Sequence, residues 1–165
     1  MMKNLILIRH AKSSWNDAAL SDRARPLNKR GKRDAPQMGR LLKDKGLPPD
    51  AILSSPAKRA LKTAKLIAAE IGYPKQRIDV REEIYEQSPA ALVELVAGLE
   101  AGWNRVFLVG HNPELTDLAN RLTGSNIENV PTGGIVSVEF SASSWRECAQ
   151  EGGRLALFER PPIAE

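Results

Sequence analysis

The chain has only two histidines, and each follows a short apolar run: Leu5-Ile6-Leu7-Ile8-Arg9-His10 and Val106-Phe107-Leu108-Val109-Gly110-His111. Such runs read as strands buried on both faces. In open α/β sheets, ligands bind beyond the carboxyl ends of parallel strands. If the two strands are parallel and adjacent, the imidazoles meet in one cleft. A third apolar run ends at Ser54-Ser55, and Arg59 follows one helical turn later. Arg9 comes straight after four apolar strand residues, where burying a guanidinium is costly unless an anion meets it. Taken singly, a strand-end histidine is an ordinary capped structural residue. Two histidines and two arginines arriving at one sheet edge strain that bland account and describe a cleft for an anion.

Metal binding fits these residues poorly. The histidines are far apart, there is no His-x-x-His or Cys-x-x-Cys pair, and the cationic neighbours would repel a cation. No metal and no cofactor is expected. Cys148 to Arg154 has the C-x5-R spacing of the cysteine phosphatase loop. Such a loop should follow a buried strand and open a helix. Here Trp145-Arg146-Glu147 precede it and a strand is expected after it, so Cys148 is read as a bystander.

The elements that must position the candidate residues alternate between strand and helix, which argues for a largely parallel sheet covered on both faces. Strands are expected at Leu5–Ile8, Ala51–Leu53, Val106–Val109, Ile135–Phe140 and Leu155–Phe158. Ser55-Pro56, Ser88-Pro89 and Asn112-Pro113 each put a capping side chain before a proline at the first helical position. Apolar residues follow at helical spacing: Ala60, Ala64, Ile67 and Ile71, then Leu92, Val96 and Leu99, then Leu115, Leu118 and Leu122. Gly72, Gly102 and Gly124 are the expected stops. A further helix is expected from an Asn28 cap to Lys45, with Met38, Leu41 and Leu42 inward.

At 165 residues, 42% hydrophobic and 27% charged, the chain reads as one ordinary globular domain, residues 1–165. No stretch reads as a signal peptide or approaches the length of a membrane span. The single cysteine cannot form an intrachain disulfide, which fits a reducing compartment, so a cytoplasmic location is expected. A monomer is expected as well. The net charge of +4, from 24 basic and 20 acidic residues, is spread along the chain apart from a cluster between Arg23 and Arg33. That cluster reads as a solvated helix face. With aromatic residues at 5%, material for a nucleic-acid stacking stripe is thin, and neither nucleic acid nor membrane is expected as a partner.

Three motifs in order now carry a resemblance. Arg9-His10-Ala11-Lys12-Ser13-Ser14-Trp15-Asn16 is similar to a strand-end R-H-G-E-S-x-W-N. Ser55-Pro56-Ala57-Lys58-Arg59-Ala60-Leu61-Lys62-Thr63-Ala64 is similar to S-x-x-x-R-A-x-x-T-A, and Val109-Gly110-His111 to a late strand followed by G-H. Together they resemble the histidine phosphatase superfamily, which includes the cofactor-dependent phosphoglycerate mutases. The short length and Arg25-Pro26-Leu27 resemble its SixA-type phosphohistidine phosphatases. One departure is Ala11, where the family has glycine; alanine is tolerable if φ is negative.

The resemblance implies a phosphoglycerate mutase-like α/β fold, a three-layer α/β/α sandwich with a mostly parallel sheet. It also implies a phosphatase that carries the phosphoryl group on His10. Arg9 and Arg59 would hold the phosphate with planar forks, and His111 would donate to it from the far side. The same resemblance puts Arg25, Ser13 and Asn16 at the pocket edge, and offers Glu86 in Ile84-Tyr85-Glu86 as general acid. Between Tyr73 and Ser88 there is no room for the helical lid insertion of the mutases. An open cleft of that kind admits a side chain from another protein, so a phosphorylated protein, such as a histidine phosphotransfer protein, is the expected partner. A small-molecule phosphoester phosphatase and a non-catalytic phosphoprotein-binding module are the alternatives.

Overall fold

The computed structural model describes residues 2–85 and 88–162. Along the chain the elements are β1 (Lys3–Arg9), α1 (Lys29–Asp44), β2 (Ala51–Ser54), α2 (Lys58–Ile71), β3 (Asp79–Val80), α3 (Pro89–Ala97), β4 (Arg105–Gly110), α4 (Glu114–Thr123), β5 (Ile135–Phe140), α5 (Trp145–Glu151) and β6 (Arg154–Glu159). Three-residue 3-10 turns fall at Asp22–Ala24, Lys75–Arg77 and Glu82–Ile84. The strands form one sheet in the order β3-β2-β4-β1-β5-β6. The first four in that order run parallel, while β5 and β6 are antiparallel to their neighbours. The expected α/β architecture with a mostly parallel sheet is what forms.

Alternation along the strands sorts the side chains into two layers. Leu5, Leu7, Leu53, Leu108 and Val138 pack with residues of α3, α4 and α5. Ile6, Ile8, Ile52, Phe107 and Val109 pack on the opposite face with Met38 and Leu42 of α1 and Ala60, Ala64 and Ile67 of α2. Leu5 to Ile8 are wholly buried, and complete burial stabilises each such side chain by about 1.5–3 kcal/mol. A polar substitution there would break the central strand.

Some boundaries differ from expectation. Ser55 does not cap a helix at Pro56; α2 begins at Lys58, and the Ser55 hydroxyl accepts from Ala57 N (3.1 Å) in the turn before it. Likewise α4 begins at Glu114, and Asn112 caps it by accepting from Thr116 N (3.1 Å). Ser88 and Asn28 do cap α3 and α1. Helix α3 stops at Gly98 rather than Gly102, its last turn tightening as the Gly98 N–H is shared between Glu94 O and Leu95 O. Strand β3 and helix α5 have no counterpart among the expected elements; the first is two residues long and the second mostly polar.

Candidate active site

Strand pairing brings the two histidines together. β1 and β4 are parallel in a register that sets Arg9 beside Gly110, so the next residues, His10 and His111, leave the sheet side by side. The His10 amide donates to Gly110 O (3.1 Å), and the Gly133 amide donates to the carbonyls of Arg9 and His10 (3.0 Å each). The imidazole centroids lie 5.1 Å apart. From the other side, Ser55 N donates to Val109 O (3.0 Å), which seats the turn into α2 against β4 and delivers Arg59.

A cleft of about 230 Å³ opens at this edge, and Arg9, His10, Ser13, Arg25, Arg59 and His111 all line it. Asn16 is exposed and outside that lining. Glu86 lies outside the described residues. Lys12, Trp15, Asn112 and Thr132 complete the wall. Among the described residues no group of histidine, cysteine, aspartate or glutamate could hold a metal ion.

His10 Nδ1 is 2.8 Å from the Ala11 carbonyl. A carbonyl can only accept, so Nδ1 carries the proton and Nε2 keeps its lone pair. Burial holds the His10 pKa down at about 3; His111, Arg59 and Arg9 push it further down, against the Ala11 hydrogen bond. His111 is lowered to about 4, first by burial and then by the Arg59 charge. Its Nε2 meets the Ser55 hydroxyl at 2.7 Å. That hydroxyl also accepts from Ala57 N, and among the described residues Nε2 is the one acceptor its own proton meets, which leaves the His111 proton on Nδ1.

Four buried side-chain nitrogen or oxygen atoms have no hydrogen-bond partner among the described residues, and three belong to the cleft: Arg9 Nε, Arg59 Nε and His111 Nδ1. An unmet buried donor costs about 1–3 kcal/mol. Three gathered in one cleft describe a receptor for an anion with several oxygens.

Asp22 was not anticipated from the sequence, yet it organises the arginines. Its carboxylate accepts from Arg59 Nη2 (3.0 Å), from Arg25 Nε and Nη2 (3.3 and 3.2 Å) and from the Tyr85 hydroxyl (2.7 Å). Desolvation alone would raise its pKa, but the hydrogen bonds from Tyr85, Arg59 and Arg25 outweigh it and hold the carboxyl at about 2. Arg25 also donates to the Ser13 hydroxyl (2.8 Å), and its guanidinium lies 3.4 Å from the centroid of the exposed Trp15 ring. The one sequence signal for Asp22 is its place three residues before Arg25.

Ala11 stands where a glycine was expected, and its methyl is fully buried in a small cluster with Leu27 and Ala35. Cys148 is buried within α5, and burial raises its thiol to about 11. It is not among the residues that line the cleft.

Comparison with known proteins agrees with this geometry. The family model of the histidine phosphatase superfamily, branch 1, matches residues 5–95. An uncharacterised chloroplastic protein of Arabidopsis thaliana is 30% identical over 153 residues, 88% of this chain and 70% of its own length. The 2,3-bisphosphoglycerate-dependent phosphoglycerate mutase of Streptomyces avermitilis is 45% identical over 64 residues, which span 38% of this chain but 25% of the mutase. Among solved structures, an Agrobacterium tumefaciens protein assigned as the phosphohistidine phosphatase SixA is 26% identical. It superposes with a TM-score of 0.80 over 96% of this chain and 99% of that one. With a matching family model over more than half its length and paired imidazoles among cleft arginines, the chain belongs to the histidine phosphatase superfamily.

Proposed function

We propose that this protein is a phosphatase that hydrolyses phosphohistidine presented by another protein, through a phosphohistidine of its own on His10. The observation that carries the reading is the His10 ring. Its Nδ1 proton is tied to the Ala11 carbonyl, and its Nε2 lone pair stands in a cleft lined by Arg9, Arg25 and Arg59. Nε2 attacks phosphorus in line, and the P–N bond of the donor breaks as the Nε2–P bond forms. The three oxygens of the moving phosphoryl group meet the guanidinium and His111 donors, and catalysis is mostly this positioning and charge stabilisation. Water then attacks phosphorus, the Nε2–P bond breaks, a water proton passes to the released phosphate, and His10 is restored.

The leaving group favours phosphohistidine over an alkyl ester. An imidazole already protonated on its far nitrogen departs neutral, whereas an alkoxide needs an acid. The described cleft lining contains no carboxyl group, and Asp22 nearby is held anionic. Similarity to the Agrobacterium protein supports the same choice. Brief reaction with a labelled phosphodonor should leave acid-labile, base-stable label on the wild type and none on His10→Ala. Normal turnover by His10→Ala would refute the mechanism.

A further inference from the structure

Beside the catalytic cleft lies a second concavity of about 300 Å³, between the starts of α1 and α2. Pro26, Leu27 and Leu61 give it an apolar surface, and Lys32, Lys58, Lys62 and Lys65 surround them. The two concavities share a wall: Ser13, which lines the cleft, is bridged to Leu27, which lines the groove. Lys58 immediately precedes Arg59, and Lys12 extends the positive charge into the cleft itself.

These lysines work against the fold. Lys58, Lys62 and Lys65 are spaced four and three apart, so they share one face of α2 and repel one another. Lys58 also opens the helix, whose first turn has no acid and whose dipole disfavours a cation there. None of the four lysines has an ion-pair partner among the described residues, and the only acid of α2, Glu70, is engaged by Arg40. All four are exposed. An arrangement that repels internally and lacks an internal counter-charge is complementary to an external anionic surface.

We infer that this groove docks an acidic, partly apolar segment of the phosphoprotein substrate that flanks its phosphohistidine. The inference rests on the proposed function and deepens it. An aliphatic side chain fills the space over Leu27 and Leu61, carboxylates meet the lysines, and the neighbouring phosphohistidine reaches His10 across the Ser13–Leu27 bridge. A nucleic acid fits less well, because none of the groove-lining residues is aromatic and a stacking base finds no platform there.

The test compares wild type with Lys62→Glu/Lys65→Glu, neither residue belonging to the catalytic cleft. The probes are free phosphohistidine, a peptide of Asp, Glu and Leu carrying one phosphohistidine, and the same peptide unphosphorylated and fluorescently labelled. In the variant, kcat/KM for the phosphopeptide should fall about tenfold, since charge steering of this kind changes association by roughly 10–10³-fold. Turnover of free phosphohistidine should stay as in wild type, and added salt should reproduce the loss. Equal turnover of the phosphopeptide by both proteins, or a parallel loss on free phosphohistidine, would overturn the groove. If wild type hydrolyses neither phosphohistidine, the proposed function fails. Anisotropy of the unphosphorylated peptide then still decides the groove, which stands if wild type binds and the variant does not, and falls if both or neither bind. Tighter wild-type binding of an RNA oligonucleotide than of the peptide would also overturn it.

Discussion

Lowering the pH from 7 to 5 should destabilise this protein sharply, and the two cleft histidines set the amount. In the unfolded chain each imidazole takes up a proton near 6.5. In the fold, burial and the arginines postpone that to about 3 for His10 and about 4 for His111. Between those values the unfolded chain holds more protons, so stability rises with pH there and is lost as acid is added. Each histidine then contributes a loss of about 2 kcal/mol between pH 7 and pH 5, or about 4 kcal/mol together. This figure hardly depends on how far below 5 the folded values lie, because in that interval almost only the unfolded state titrates. Since small domains are stable by about 5–15 kcal/mol, the loss is a large fraction of the whole. The chain has no other histidine, and carboxylates titrate mainly below the window. Urea unfolding at constant ionic strength, at pH 7 and pH 5, reads the effect directly. His10→Gln should halve the difference and His10→Gln/His111→Gln should abolish it. Equal wild-type stability at the two pH values would refute the buried neutral pair, as would a full-sized drop in the double variant.

Asp22→Ala should lower kcat/KM at least tenfold and also destabilise the protein. It strips Arg59 and Arg25 of a charge-assisted partner worth about 1.5–3 kcal/mol per bond when buried, less here because Asp22 is half exposed; steady-state kinetics with unchanged efficiency would remove Asp22 from the positioning of the arginines. Glu86→Gln should slow hydrolysis of an alkyl phosphate strongly, by roughly 10²–10⁴-fold if Glu86 is the acid, and of a phosphohistidine peptide only slightly. Equal losses on both substrates would assign Glu86 to binding or structure, and no loss on either would strike it from the site.

The cleft was legible from the sequence because its residues are tied to strands whose apolar runs are unmistakable. Leu5–Ile8 and Val106–Val109 are buried on both faces, and one register bond beyond them lie His10 and His111. Arg59 was legible because only a short turn, pinned to β4 by the Ser55 amide, separates it from β2. Asp22 was not, because it sits on a loop whose position is set by non-local bonds to Arg59 and Tyr85. Helix starts were placed early at Ser55 and Asn112 for a related reason. Both side chains do satisfy backbone N–H groups, Ser55 in the turn before α2 and Asn112 in the first turn of α4 from two residues ahead of it, and both also serve other partners: Ser55 meets His111 and Asn112 reaches Val130 O. Those second tasks hold each side chain ahead of the helix proper. The lysines of α2 are lost in sequence among basic residues spread along the chain, and only the neighbouring apolar groove gives them a meaning.

The stacking of Trp15 on Arg25 gives the cleft an optical label. Of the three tryptophans, Trp145 is sealed in the core with its indole N–H donating to Trp103 O (2.9 Å), at the end of the sheet where β1 begins. Neither senses the cleft. Trp15, 75% exposed and in face contact with a guanidinium in the cleft wall, does. An anion that draws Arg25 toward itself changes the field at that indole alone. Titration with an anion such as inorganic phosphate is therefore expected to change native emission, without a dye and without turnover.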